Sequence, residues 1–600
     1  MILILGGTTE GRRAVETLER AGKPFYYSTL GSMQQVEMHN GIHISGNLDA
    51  EAMESFCRDN EIRLLVDAAH PFAFRLHTTV ARVAASLGIP VVRYERIFPD
   101  CDKRLIWCDD YADACRKMEA DGVMRLLGLS GANTIAALKP FWSRHESVFR
   151  VLDRDESRAK ATEVGFDTSR LVYFDADTHI SDLLKKFPAD AIITKESGES
   201  GGFEAKTDDA LAAGLKVYVV KRPRLPESFV TAEGVYGLRK QVERFLPEFY
   251  DLKSGFTTGS CVTAAAKGAM LALLGHRSPV VEFRIPDGER LSMRLEKIEV
   301  NGDTATAEVV KDAGDDPDVT HRMHIFVTVR RATGGKVTII GKEGVGRVTL
   351  PGLGLPVGDW AINPVPRMMI SRELLSLSPE GCIVEISIPE GASLALKTFN
   401  PRVGVEGGIS IIGTSGVVMP FSNEAFLEAI KREMQVALAA GNGHVVLNSG
   451  ARSERYVHAV YPDLPASAFV HYGNAVGETL EIANELEVPM VTIGVMLGKA
   501  VKLAEGNMDT HSHKVTMNHQ FLHGVAKGCG CSEDALQAID NAKLARELWS
   551  VLSCEDRKRF MPALLRLCYD YCRKVYSSGK LEMMLIEDAG GIFCRISDDA

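Results

Sequence analysis

Several loops of this 600-residue chain carry residue types that hold anions or pass protons, and each follows a short apolar run. The first reads Gly6-Gly7-Thr8-Thr9-Glu10-Gly11. Glycines in such a turn let the backbone approach a pyrophosphate while the next helix offers its free amides, so Gly6, Gly7, Thr8 and Gly11 are candidates for holding a dinucleotide. Thr8 stands where the G-x-G-x-x-G fingerprint has its second glycine, and a plain tight turn explains the motif equally well. In Val66-Asp67-Ala68-Ala69-His70-Pro71-Phe72-Ala73, His70 is the candidate catalytic acid because imidazole titrates near neutrality. The other reading makes it a cap for the following helix. Gly128-Leu129-Ser130-Gly131 repeats the strand, small-residue turn, helix logic and adds Ser130 and Gly131 to the cofactor candidates. Thr194-Lys195-Glu196-Ser197-Gly198 offers a substrate a cation at Lys195, a hydroxyl at Ser197 and free amides.

A second set begins at Ser254. Thr257 and Thr258 either cap a helix running from about Gly259 to Leu274 or contribute to an anion site at its N-terminus. Lys342, in Gly341-Lys342-Glu343-Gly344-Val345-Gly346, and Arg367, in Ala361-Ile362-Asn363-Pro364-Val365-Pro366-Arg367, suit carboxylate recognition, and Lys397 and Arg402 in Lys397-Thr398-Phe399-Asn400-Pro401-Arg402 are further substrate-binding candidates. Gly413-Thr414 and Gly473-Asn474 are turns that follow apolar runs and can cradle a nucleoside or a carboxylate, so they are further cofactor candidates. Lys499 and Lys502 share a helix face and form a candidate carboxylate clamp, in a block that ends at His511. Metal is not expected. The carboxylates of Asp312, Asp315, Asp316 and Asp318 lack EF-hand spacing, and His511, His513, His519, His523, Cys529 and Cys531 fit neither C-x-x-C pairs nor H-E-x-x-H.

The elements that must position these loops alternate from Ile2 to Val220. Apolar runs at Ile2–Leu5, Leu64–Asp67, Val91–Tyr94, Arg125–Leu129, Ala191–Thr194 and Val217–Val220 are separated by helical patterns. That rhythm predicts two doubly wound, Rossmann-like lobes, about 1–100 and 120–230, with a ligand cleft between them. Residues 254–400 are rich in short strands and turns, an α+β pattern. From 401 to 600 an α/β rhythm returns, including a strand at Ile409–Ile412, and ends in a helical cap. The predicted class is therefore α/β and α+β multidomain. The boundaries are a first unit over 1–248, a junction at 249–253 (more loosely Glu227–Leu252), and second-unit domains over 254–400 and 401–600.

Length agrees, since about 150 residues per domain gives roughly four domains. The net charge of −10 argues against a nucleic-acid partner. No run of about 18 uncharged apolar residues predicts a membrane span, and the N-terminus lacks the pattern of a signal peptide. Twelve dispersed cysteines read as reduced thiols, and the expected location is the cytoplasm.

The first set of blocks resembles the precorrin-6A reductase family over roughly residues 1–248: GGTTEG, DAAHPFA followed by Val92-Arg93-Tyr94-Glu95-Arg96, and TKESGESGG followed by Lys221-Arg222-Pro223. That resemblance implies NADH or NADPH giving hydride to the C18–C19 double bond of the ring. Family members more often carry threonine at Ala69. From Ser254 the chain resembles the cobalt-precorrin-5B methyltransferase family over roughly 253–525, through SGFTTGSC, VKDAGDDPDVT, GVGRVTLPGLGLPVG, AINPVPR, KTFNPRVGVEGGISIIGTSG and GKAVKLAEGNMDTHS. This implies S-adenosylmethionine and methylation at C-1. Two departures are Val495-Met496, where Gly-His is usual, and the stretch His513–Asn518, which lacks an expected aspartate.

The resemblances imply two consecutive steps on cobalt-precorrin substrates, the later enzyme occupying the first half of the chain, with raised effective concentration for the shared intermediate. In-line methyl transfer needs alignment more than a base, and in hydride transfer the cofactor does the hard chemistry. A homo-oligomer and contact with other corrin-pathway enzymes stay open, as does the choice of NADH or NADPH. Two alternatives stand beside this reading: a non-catalytic tetrapyrrole carrier, and for the first half a nucleotide-sugar oxidoreductase, although its Tyr-x-x-x-Lys pair is not evident.

Overall fold

The computed structural model describes the chain apart from residues 32–35, 97, 99–101, 176–178, 199–201, 512–515, 588–589 and 599–600. It divides into two compact units, Met1–Lys253 with Arg284–Ser292, and Ser254–Phe283 with Met293–Ala600.

The first unit holds two six-stranded, all-parallel sheets. In spatial order the first contains Phe229–Glu233, Val91–Glu95, Leu64–Asp67, Ile2–Leu5, Phe25–Thr29 and Gly41–Ser45. The second contains Ile106–Cys108, Lys216–Val220, Ala191–Lys195, Arg125–Gly128, Glu146–Val151 and Leu171–Tyr173. Central strands such as Ile2–Leu5 and Leu64–Asp67 are buried along their whole length, as parallel strands covered by helices on both faces must be. The helix Thr9–Glu19 shows how the sequence achieves this. Thr8 caps it, and Ala14, Val15 and Leu18 return to one face against the sheet.

The two doubly wound lobes stand as the sequence pattern predicted, with different limits. The stretch read as a junction, 227–252, supplies the strand Phe229–Glu233 and the helix Gly234–Phe245, both in the first lobe. So short a strand, with polar residues inside it, cannot be told from a linker by periodicity. The second lobe starts earlier than 120, at the strand Ile106–Cys108. A boundary at Ser254 also omits Arg284–Ser292. There Glu289 accepts hydrogen bonds from the amides of Val235, Tyr236 and Gly237 at 2.7, 2.8 and 3.1 Å. It thereby caps the helix Gly234–Phe245.

The second unit begins with a mixed five-stranded sheet in the order Lys297–Asn301, Thr304–Val310, His324–Arg331, Gly381–Ser387 and Lys336–Gly341. The helix Thr258–Leu273, buried almost all round, packs on it together with Pro364–Leu377. Gly268 permits the approach, because a Cβ there would collide with Leu295 Cδ1. A second sheet runs Phe469–His471, His444–Asn448, Met490–Met496, Lys580–Ile586 and Ile592–Ser597, its last strand antiparallel. The expected strand at Ile409–Ile412 is instead two isolated bridges, Ile409 to Val345 and Ile411 to Ile362. Glycines on both sides of this apolar run keep it from extending into a ladder. Among the described residues no helix is long and apolar enough to cross a membrane, and no described cysteine is in a disulfide.

Candidate functional site

Open parallel sheets bind ligands beyond the carboxyl ends of their strands, at the point where strand order reverses. In the first lobe that point lies between Ile2–Leu5 and Leu64–Asp67, and in the second between Arg125–Gly128 and Ala191–Lys195. The four loops selected from sequence in the first half therefore occupy the two reversal points of one unit.

At the first reversal point, Thr8 Oγ1 accepts from Gly11 N at 3.1 Å and donates to Ala68 O at 2.7 Å, tying the glycine turn to the loop that bears His70. Gly7 has a φ of +91° with open space beside it, and its N–H donates to Tyr27 Oη at 3.0 Å. A Cβ on Gly6 would collide with the Tyr27 ring, so glycine is required for that ring to lie under the turn. His70 Nδ1 accepts from Phe72 N at 3.1 Å, which leaves the ring proton on Nε2. Burial, together with the charges of Arg96 and Lys195, lowers its pKa to about 4. His70 does not cap the following helix, Phe74–Leu87, whose N-cap is Ala73 with no side-chain cap bond. It closes the loop locally through Nδ1 and presents a neutral N–H donor in place of the imidazolium expected of an acid near pH 7.

At the second reversal point Ser130 Oγ lies 2.7 Å from Thr134 Oγ1, which donates to Gly131 O, so the Ser130 proton is used inside its own turn. Gly131, with a φ of +85°, has open space beside it. Lys195 Nζ lies 5.2 Å from the centre of the Phe72 ring, and burial lowers its pKa. The ring face supplies part of the attraction that its lost water supplied. Ser197 is buried, and its carbonyl accepts from Arg96 Nη1 at 2.7 Å. The last part of the TKESGESGG block, 199–201, lies outside the described residues.

A buried ion-pair chain joins these loops. Asp67 receives His77 Nδ1 at 2.6 Å and Arg93 Nη1 at 2.9 Å, and Arg93 Nη2 reaches Glu95 at 3.2 Å. Arg222 lies 3.5 Å from Glu95, donates its amide to Glu196 and stacks on Phe98 at 3.6 Å, while Arg96 pairs with Glu10 at 3.0 Å. None of these roles was assigned from sequence. The signal was present, because an Arg and a Glu inside the buried parallel strand Val91–Glu95 must find partners.

In the second unit the strand order 2-1-3-4-5 places the reversal between His444–Asn448 and Met490–Met496. Gly473 and Asn474 follow the neighbouring strand, and the Lys499 ammonium donates to Gly473 O at 2.6 Å, to Asn474 Oδ1 and to Thr510 Oγ1 at 3.3 Å. Lys502 donates to Thr510 O at 3.0 Å. The pair is a brace between two loops, which corrects the carboxylate clamp: helical spacing put both lysines on one face but could not show carbonyls facing them. Burial and the neighbouring Lys502 lower the Lys499 pKa to about 8.

Arg402 binds Glu454 through two bonds of 2.8 and 2.9 Å, and Glu454 also holds His471. Burial works against the charge of Glu454, but these hydrogen bonds and charges bring its pKa down to about 2. Such bidentate pairing is the strong form of an arginine–carboxylate contact. Arg402 is therefore already engaged by a carboxylate of its own chain. Asn448, in register with His471 and Gly494, is wholly buried, and among the described residues neither end of its amide has a hydrogen-bond partner. Glu433 is also buried, with a pKa raised to about 7 by burial; Arg402 opposes that rise and Glu454 adds to it.

The remaining candidates lie elsewhere in this unit. Thr257 caps the helix Thr258–Leu273, and Thr258 Oγ1 contacts Ser410 O and Ile412 O, while the Gly259 amide is taken by Ile412 O. Of the two readings of this N-terminus, the structure displays the cap, with groups of the protein itself meeting the Gly259 amide and the Thr258 hydroxyl. Gly413 packs so closely against Thr257 that a Cβ would collide with its Oγ1, and Thr414 beside it is exposed. Arg367 Nε donates to Ile362 O, Lys397 is exposed, and the His511 amide is bonded to Asp509. Asp318, in the acidic loop, receives the buried Lys311 ammonium at 2.7 Å. His513 lies outside the described residues, and no described His, Cys, Asp and Glu form a metal-holding group.

The folds and strand-end sites define two α/β enzyme units in one polypeptide. The profile described as "Precorrin-6x reductase CbiJ/CobK" matches residues 1–241, that of "CbiD" residues 247–420, and that of "CbiD, C-terminal domain" residues 509–596. A Cobalt-precorrin-5B C(1)-methyltransferase of Prosthecochloris aestuarii is 42% identical over 359 residues, covering 58% of this chain and 97% of the relative. A solved CobK precorrin-6A reductase is 20% identical with a TM-score of 0.35, covering 41% of this chain and 96% of its own. The cobalamin biosynthesis protein cbiD of Archaeoglobus fulgidus is 26% identical with a TM-score of 0.25, covering 44% and 83%. The chain belongs to the cobalt-precorrin-5B C(1)-methyltransferase family through its second half, fused behind a precorrin-6x reductase of the CbiJ/CobK family. It is a methyltransferase and an oxidoreductase of cobalamin biosynthesis.

Proposed function

We propose that the second unit methylates cobalt-precorrin-5B at C-1 to give cobalt-precorrin-6A, and that the first unit reduces this product to cobalt-precorrin-6B, both in the cytoplasm. The observation that supports this best is the convergence of four separate sequence blocks on the two strand-order reversal points of the first unit, together with the Gly473-Asn474 and Lys499 blocks at neighbouring strand ends of the second. NADH or NADPH would supply hydride, and S-adenosylmethionine the methyl group. The residues of the first unit fit a dinucleotide. The open backbone at Gly7 and the N-terminus of Thr9–Glu19 suit a pyrophosphate, and Arg96 neutralises the buried Glu10 carboxylate that would otherwise repel it. His70 offers an N–H to a ring atom of the substrate, and Lys195 a cation to its carboxylates. In the second unit Lys499 fixes the Gly473-Asn474 turn, and the amide of Asn448, in register with His471 and without a hydrogen-bond partner among the described residues, fits a ligand that brings both a donor and an acceptor.

One anaerobic incubation with cobalt-precorrin-5B and both cofactors, followed by mass spectrometry, tests the reading. A gain of one methyl and then of two hydrogens is expected. Binding of the corrinoid with no change of mass sinks it in favour of a carrier.

A further inference from the structure

Aromatic side chains at the strand ends of the second unit face solvent. Phe399 is 49% exposed and Phe426 is 38% exposed. Rings of this size usually find cover. Both are fixed in place. Phe399 meets the His471 ring edge-on at 6.1 Å and has the Arg402 guanidinium 6.0 Å from its centre. Phe426 lies over Gly473, where a Cβ would sit 3.0 Å from its Cζ on a left-handed backbone. Only glycine admits the ring there without strain. The braces continue beneath them: Glu454 holds His471 and Arg402, and Lys499 holds Gly473. The same stretch of chain also exposes the large side chains of Leu396 and Phe421. Phe421 stands on a left-handed backbone, a conformation that a bulky side chain seldom adopts.

We propose that Phe399 and Phe426 form the face on which the second unit lays a planar, conjugated macrocycle that carries carboxylates. Exposed, braced rings supply stacking area at little conformational cost, and the exposed cation of Lys397 stands on the same loop as Phe399 to meet a carboxylate at the rim of such a ring, while Arg402, paired with Glu454, holds that loop in place. Phe399 meets His471 and Phe426 meets Gly473, two residues further on at the same strand end, so an occupant that covers both rings is wider than a purine: the methyl acceptor and not the adenine of a methyl donor. This inference rests on the second unit acting on a tetrapyrrole.

Two measurements on the full chain decide it. Binding of coproporphyrin, a planar tetracarboxylate, is followed by its fluorescence in the wild type, in Phe399→Ala, in Phe426→Ala and in the double variant, with the exposed Leu544→Ala as control. Each ring truncation weakens binding by about tenfold, in line with the contribution of a stacked aromatic, while Leu544→Ala and the melting temperature stay unchanged. Unaltered porphyrin binding in the double variant overturns the proposal. Where methyl transfer is measured, KM for the macrocycle rises and KM for S-adenosylmethionine does not; a rise confined to the latter assigns the rings to adenine and also overturns it. Absence of methyl transfer by the wild type refutes the assigned reaction alone, since the porphyrin titration still decides the binding face.

Discussion

His77 Nδ1 and Asp67 Oδ2 meet at 2.6 Å with both side chains withdrawn from water. Burial alone raises the pKa of Asp67, but the hydrogen bond from His77 and the charge of Arg93 outweigh it and hold the carboxyl below its ordinary value. A carboxyl depressed on folding stabilises the native state above its unfolded pKa and loses that contribution as pH falls through the folded one, so the first unit weakens below about pH 4. Replacing Arg93 by Met removes the cation shared by Asp67 and Glu95, leaving Asp67 to His77 and Glu95 to Arg222, and about 3–5 kcal/mol of stability should be lost, read as a lower denaturation midpoint of the first unit. A midpoint within experimental error of the wild type contradicts this account of the network.

His70, with a pKa near 4, stays neutral through the physiological range. Histidine-resolved NMR, comparing wild type with His70→Asn, should show no titration of this ring between about pH 6 and 8. The reductase pH–rate profile should lack a limb at about 6.5, the unperturbed imidazole value. A titration centred there means the ring is solvated and charged, and the neutral-donor role falls.

Lys499→Met removes an ammonium that ties Gly473, Asn474 and Thr510 together. Misalignment of about 1 Å at a reacting centre costs on the order of 100-fold in rate, so kcat for methyl transfer should fall by about that factor. Lys499→Arg should restore little, because the fork cannot reproduce three converging bonds. Full activity in Lys499→Met shows that the brace is dispensable.

Glu433 has the opposite sign from Asp67. Its folded pKa of about 7 lies above the unfolded carboxyl value. The native state therefore binds more protons between about pH 4.5 and 7, and stability falls as pH rises through that window. Glu433→Gln should raise the melting temperature at about pH 8 by an amount corresponding to on the order of 1–3 kcal/mol, and change it little at about pH 4.5. Equal shifts at the two pH values exclude ionisation as the cause.

The parallel sheets were legible because strands buried on both faces are apolar without interruption, as in Met1-Ile2-Leu3-Ile4-Leu5. The strand Phe229–Glu233 was not, since Thr231 and Glu233 at a sheet edge break the apolar run. Sequence placed His70, Lys195, Gly473 and Asn474 at strand ends. It could not tell that the Lys499 ammonium and the Arg402 guanidinium are already partnered, because Gly473 lies 26 residues from Lys499 and Glu454 lies 52 from Arg402. Charge type is written in the sequence; whether a charge is spent internally is written only in tertiary contacts.

The second lobe of the first unit is an insertion into the first. The chain leaves the first sheet after Val91–Glu95, completes all six strands of the second between Ile106–Cys108 and Lys216–Val220, and only then returns to lay Phe229–Glu233 against Val91–Glu95. The two lobes are therefore unequal in independence. The second is one unbroken segment that could be exchanged whole, whereas the first waits for residues that emerge after its neighbour has been made. Until then Val91–Glu95 is an open edge able to pair with another chain, so rapid folding of the inserted lobe shortens the time during which the nascent enzyme can aggregate.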